Sequence, residues 1–208
     1  MQLEDLESEF DWVAMEFSKK TPYKVIKFIG SGEHGDAYLT EDDKVVKITT
    51  DKSEYDESRK LMNKDSLHLP TIYDCFTVES KRLTRPLWII VLEYLKHNRE
   101  EQEYLWYELS DAFEEQLKLD LLEVIESYQV NTLSTDDMVD YMNHLNIKEE
   151  ILDYYGQIIS MIDEMKKYGI KSIDYGPNNF GFRGDTLVFF DLGFGEEDGS
   201  GTHKTFKI

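Results

Sequence analysis

The sequence predicts an α+β chain in two lobes, and three observations carry that expectation. Strand-like segments fill the stretch from residue 23 to 95, helical segments follow to 168, and a short hairpin-like tail closes the order. Hydrophobic residues make up 40% of the 208 and aromatics 13%, ample for a buried core. With 4 prolines and 12 glycines, long flexible linkers are not expected.

Taken in order, apolar residues at Leu3, Leu6, Phe10, Val13, Ala14 and Phe17 are spaced by three or four, the stripe of an amphipathic helix. Thr21-Pro22 breaks it. The segments YKVIKFIG, DAYLT and KVVKITT read as strands, with a turn at Glu41-Asp42-Asp43 between the last two. Ser53 is placed to cap a helix running to Asn63, with Glu54, Asp56 and Glu57 in its first turn. Two more strands are expected, TIYDCFTV and RPLWIIVLEYL. From Arg99 to Tyr168 the pattern is helical, interrupted near Asn131 to Asp136, where Ser134 or Thr135 begins a new helix. After Gly169 come short segments: IKSID, a GPNN turn, FGF and TLVFFDLGF. The last fifteen residues, rich in Gly and charge, are expected to be loosely held.

The formal charge of −20 argues against nucleic acid and anionic membrane as partners, because both bind through clustered Lys and Arg. A basic protein partner would be attracted instead. Cys75 is the single cysteine, so neither an internal disulfide nor a cysteine zinc site can be built. The five histidines stand far apart. The acidic start, MQLEDLESEF, is unlike a signal peptide, and no apolar run approaches the roughly 18 residues that span a bilayer. An intracellular, cytoplasmic protein is the expectation.

Four segments carry chemistry. Gly30-Ser31-Gly32-Glu33-His34-Gly35 has the spacing GxGxxG and is followed by a second strand rather than a helix. That places the glycines at the turn of a hairpin, where backbone N–H groups can approach phosphates. Twelve residues beyond Gly35, Lys47 sits in the apolar run Val45-Val46-Lys47-Ile48. A charge there needs an acidic partner or a phosphate. Glu57 on the following helix is the natural partner, with Glu54 one turn earlier on nearly the same face. Ile173-Asp174-Tyr175-Gly176-Pro177-Asn178-Asn179 and Val188-Phe189-Phe190-Asp191-Leu192-Gly193 complete the set.

With these residues in this order, the chain resembles the protein kinase superfamily from about residue 23 to 195. Gly30 to Gly35 resemble the phosphate loop, with IGSGEHGDAYL similar to casein-kinase-like enzymes. Lys47 resembles the strand lysine, LEY at 92–94 the hinge, IDYGPNN the catalytic loop and DLG the magnesium-binding turn. Asp174 and Asn179 are five apart, as in kinases, and Asp191 follows twelve residues on. The resemblance implies a protein-kinase-like two-lobed fold: an N-terminal helix at 1–20, a β-rich N-lobe at 21–95 and a reduced, mainly helical C-lobe at 96–208. It implies ATP and Mg²⁺ as cofactors and a protein substrate phosphorylated on Ser or Thr. Gly30, Ser31, Gly32, Gly35 and Lys47 would meet the phosphates, with Glu57 paired to Lys47. Glu93 and Leu95 would offer backbone groups to the adenine. Asn179 and Asp191 would hold the metal, and Asp174 would orient the incoming hydroxyl.

The sequence also departs from that pattern. Ser172 and Ile173 stand where His and Arg are usual, so control by a phosphorylated activation loop is not expected. Gly176 replaces a lysine that contacts the γ-phosphate, a role for which Lys171 is the nearest substitute. Only seventeen residues follow Asp191, too few for the usual C-terminal helices, and the helical block before the catalytic loop is longer than usual. Two alternatives stay open: a pseudokinase that binds nucleotide or acts as a scaffold, and a small-molecule phosphotransferase of the aminoglycoside or choline kinase type.

Overall fold

The computed structural model describes residues 8–171, 175–192 and 204–208. The chain forms two compact units, one of Met1–Asp65, Pro70–Tyr94 and Leu192–Ile208, the other of Ser66–Leu69 and Leu95–Asp191. The first is built on a sheet and the second is mainly helical, a mixed α+β architecture in the order the sequence predicts.

The first unit opens with helix α1 (Glu9–Lys20), started where the Ser8 hydroxyl accepts the Asp11 N–H at 3.1 Å. It stops at Thr21, whose N–H and hydroxyl both bond the Phe17 carbonyl. Strands β1 (Val25–Ser31), β2 (Gly35–Thr40), β3 (Lys44–Thr49), β4 (Ile72–Glu79), β5 (Leu87–Glu93) and a last strand at Lys204–Lys207 make one sheet. Its order is β1-β2-β3-β5-β4 and then the last strand, which pairs parallel to β4, while the other neighbours are antiparallel. Strand side chains alternate between faces. Tyr38, Val46, Ile48, Ile89 and Val91 therefore share one face, and they form a buried cluster with Val13, Ala14 and Phe17 of α1. Lys47, on the opposite face, looks toward helix α2 (Lys52–Leu61).

Two local expectations are corrected here. The cap of α2 is Asp51, not Ser53: one Asp51 carboxylate oxygen accepts both the Ser53 N–H at 2.8 Å and the Ser53 hydroxyl at 2.7 Å. Ser53 is thus a donor inside the first turn. The helix also ends earlier, at Leu61, and Asn63 beyond it takes a positive φ of 61°. Nor is the end of the chain loosely held throughout. Lys204–Lys207 completes the sheet, with Phe206 buried 5.0 Å from the Phe17 ring. A four-residue strand with one apolar side chain has no readable period, and its pairing partner lies more than a hundred residues away.

In the second unit, α3 (Arg99–Ala112) runs into a π-helical turn, Phe113–Leu117, and stops at Lys118 with φ 59°. Helix α4 (Leu121–Gln129) is capped by Asp120 and α5 (Thr135–His144) by Ser134, whose capping box with Asp137 bears out the new helix start. Helix α6 (Glu149–Tyr168) ends on Gly169 at φ 67°. The helical block therefore breaks at 118–120 and 145–148 as well as at the expected place. Those breaks rest on a left-handed Lys118 and on short joints that carry apolar residues of their own, Leu119, Leu145 and Ile147, so the apolar pattern runs on across them. Strands β6 (Phe180–Arg183) and β7 (Thr186–Phe189) form a hairpin whose Phe180 and Phe189 rings meet at 5.5 Å. The last strand, Lys204–Lys207, is numbered β8.

The short segment Ser66–Leu69 is held inside this unit by two side chains. The Glu164 carboxylate accepts from the Ser66 hydroxyl, the Leu67 N–H at 3.1 Å and the His68 N–H at 2.9 Å. The Arg183 guanidinium donates to the carbonyls of Ser66, Leu67 and Leu69. Burial pushes the Glu164 carboxyl up, but the bonds from Ser66, His68 and Leu67 outweigh it and hold the group below its ordinary 4.5.

Replacing Phe17 by Ala removes a fully buried ring from the α1 face, and urea unfolding should show a loss of about 3–5 kcal/mol. A depressed carboxyl stabilises above its unfolded value and loses that contribution as pH falls through its folded value. Thermal unfolding followed from neutral to strongly acid pH should therefore show a smaller acid-side drop for Glu164→Gln than for the wild type.

Candidate functional site

The glycine hairpin lies in the first unit. β1 ends at Ser31 and β2 starts at Gly35, leaving Gly32, Glu33 and His34 as the loop. The Gly32 N–H closes it on the Gly35 carbonyl at 2.8 Å. The His34 carbonyl is tied to the end of β3, accepting the Thr50 N–H at 2.7 Å. Gly35 is required by space: a Cβ there would sit 2.1 Å from the Ile48 carbonyl oxygen and 2.8 Å from the Thr49 Cα. A Cβ at Gly30 would meet open space, and one at Gly32 only the Gly35 carbonyl oxygen at 3.9 Å. The Ser31 hydroxyl donates to Asp36 at 2.7 Å.

Lys47 occupies the middle of β3, opposite Ala37 of β2 and Ile90 of β5. Its ammonium forms an ion pair with Glu54, a carboxylate 5% exposed against 24% for the lysine. The expected partner was Glu57. That residue is fully buried, and both of its oxygens accept from Lys60, at 2.9 and 2.8 Å. Three helical positions differ by about 60° around the axis, so Glu54 and Glu57 lie on neighbouring faces of α2, both of them buried. Both carboxylates were legible in the sequence, since Glu54 lies one turn before Glu57 on nearly the same face.

Of the hinge residues, Glu93 closes β5. Its N–H donates to the Thr71 carbonyl at 3.0 Å and its carboxylate accepts the Thr71 N–H at 2.7 Å. Leu95 is buried in the second unit against Gly181, where a Cβ would come within 2.7 Å of the Leu95 Cβ. Tyr94 between them is half exposed.

The other candidates belong to the second unit. Pro177–Asn179 is a single 3₁₀ turn closed by the Asn179 N–H on the Gly176 carbonyl at 3.0 Å. The Asn179 carbonyl then accepts the Phe190 N–H at 3.0 Å, one step beyond the Phe180–Phe189 pair of the hairpin. This bond brings Asn179 and Asp191 to the same end of the β6–β7 hairpin, although twelve residues separate them. Both are partly exposed and offer oxygen atoms, the ligand type a hard cation such as Mg²⁺ takes. Among the described residues no group of three or more His, Cys, Asp or Glu side chains could hold a metal ion. Asp174, Ser172 and Ile173 lie outside the described residues.

No protein-family model matches the chain, and no curated protein matches it either. Among solved structures, a MAP kinase from Leishmania major matches at a TM-score of 0.42 and 14% identity, over 88% of this chain and 49% of that one. The chain thus spans about half the length of that kinase. A similarity this low leaves the residues themselves as the ground for a functional reading. Among the described residues no helix is long and apolar enough to cross a membrane.

Breaking the Lys47–Glu54 pair leaves a carboxylate buried without its cation. Lys47→Met should lower stability by about 2 kcal/mol, a partial value because the lysine is a quarter exposed. Adding Glu54→Leu should recover most of that loss in the same denaturant titration.

Proposed function

We propose that this chain is an ATP- and Mg²⁺-dependent phosphotransferase of the protein-kinase type, moving the γ-phosphate of ATP to a hydroxyl of a protein Ser or Thr. The observation that carries the reading is the Lys47–Glu54 ion pair. It sets an ammonium on β3 of the six-stranded sheet, on the strand against which the glycine hairpin is packed through Gly35. A structural role alone does not call for a lysine at a position surrounded in sequence by Val45, Val46 and Ile48.

In this reading the Lys47 ammonium binds phosphate oxygens while Glu54 fixes its direction. The loop between Gly30 and Gly35 lies along the phosphates, with no side chain at Gly30, Gly32 or Gly35 to block their approach. Asn179 and Asp191 hold magnesium, which, when bound, neutralises charge on the phosphate oxygens. Asp174 accepts a hydrogen bond from the incoming hydroxyl and aligns it. Phosphoryl transfer needs positioning and charge neutralisation more than covalent chemistry, and these groups supply both. The chain's excess of acid favours basic protein substrates.

The test is transfer from γ-labelled ATP with Mg²⁺ to protein and peptide Ser/Thr acceptors, with small alcohols and aminoglycosides alongside. Lys47→Ala and Asp191→Ala should each reduce transfer by about 100-fold or more. Asp174→Ala should lose turnover and keep nucleotide affinity. Calorimetric ATP binding without transfer to any acceptor would favour a pseudokinase, and transfer only to small acceptors a small-molecule enzyme. Absence of ATP binding would remove the proposal.

A further inference from the structure

A row of polar contacts runs along the α1 face of the sheet from α1 to the glycine hairpin. The Tyr38 hydroxyl, in a fully buried residue of β2, donates to the Asp11 carboxylate of α1 at 2.9 Å. The same hydroxyl lies 3.4 Å from one oxygen of Asp36, a carboxylate only 9% exposed. The other Asp36 oxygen accepts the Ser31 hydroxyl at 2.7 Å. Ser31 and Asp36 are the facing residues of β1 and β2 on either side of the Gly32–His34 loop. At its far end Asp11 also accepts from Ser8, the cap of α1.

Alternation along β2 explains why the path exists. Asp36 and Tyr38 are two apart and share the face that α1 covers, whereas Gly35 and Ala37 belong to the face of Lys47. The hairpin is thus held on the α1 face by these bonds and within the sheet by the close approach of Gly35 to β3. The buried Asp36 carboxylate needs a donor, which Ser31 supplies, and the partly buried Asp11 accepts from Tyr38 and Ser8. Burial, with the two carboxylates beside it, pushes the Tyr38 phenol well above its ordinary value, so the hydroxyl remains a donor.

We infer that α1 is a positioning element for the glycine hairpin, with Asp11, Tyr38 and Asp36 as positioning residues that set the shape of the Ser31–Asp36 turn. The inference rests on the proposed function only for its consequence, that a turn so held receives the phosphates of ATP. Amide hydrogen exchange of the full-length protein, without nucleotide, tests it directly.

In Tyr38→Phe and Asp11→Asn, exchange across residues 30–36 should quicken about five- to tenfold, the effect of losing one partly buried hydrogen bond. Exchange in β4 and β5 should stay as in the wild type. In transfer kinetics the same variants should raise the KM for ATP and leave kcat near the wild-type value. Unchanged exchange at 30–36 would overturn the inference. So would a uniform rise over the whole sheet, which marks general loosening. If exchange rises at 30–36 but the wild type binds no ATP, the positioning role stands and the phosphotransferase reading falls.

Discussion

A lysine in the middle of a sheet must be answered by a carboxylate, and the first unit is arranged around that requirement. Lys47 has strands on both sides, so its ammonium can leave the sheet in only one direction. Helix α2 follows β3 after two residues and brings Glu54 to that point. An ion pair with a carboxylate this buried is stable only if geometry and further bonds offset desolvation. The Asp51 cap fixes where the helix starts, and Gly35 fixes how closely β2 lies on β3. Each of these is a local condition for the same pair.

The opposite face has a different logic. It is apolar, with Phe17 of α1 meeting Phe76 and Phe206 edge to face, so its contribution is burial rather than charge. Helix α1 also reaches polar groups at its N-terminal end, where Asp11 meets Tyr38. One helix thus closes the core and touches the hairpin that the functional reading makes central. The sheet between α1 and α2 transmits both, because strand residues at even and odd positions belong to different faces.

The second unit depends on aromatic packing around the β6–β7 hairpin and on a polar staple. Trp106, Tyr154 and Phe189 all pack on Phe180, and Phe113 meets Tyr155. Glu164 and Arg183 hold Ser66–Leu69 by main-chain bonds, so the backbone of that segment is satisfied although it has no regular structure. The same hairpin that anchors the aromatics sets Asn179 beside the start of Asp191 through one main-chain bond.

The amino-acid sequence by itself determined the elements with a strong period or a strong stop. The stripe of α1, five strands, the Ser134 cap and the Gly169 end are local patterns, and local patterns survive in one dimension. It also marked Gly35 and Lys47, since a glycine between strands and a charge in an apolar run are each anomalous in place. Tertiary structure alone shows that Glu54 meets Lys47, because spacing along one helix does not say which of its residues reach a neighbouring strand. It decided the cap at Asp51, where two polar candidates two residues apart would each start the helix at a different place. It also decided that Lys204–Lys207 pairs with β4 and that Asp36, Tyr38 and Asp11 join. Those contacts bring together residues distant in the chain, and their stabilisation comes from burial and shared hydrogen bonds that exist only after the sheet has formed.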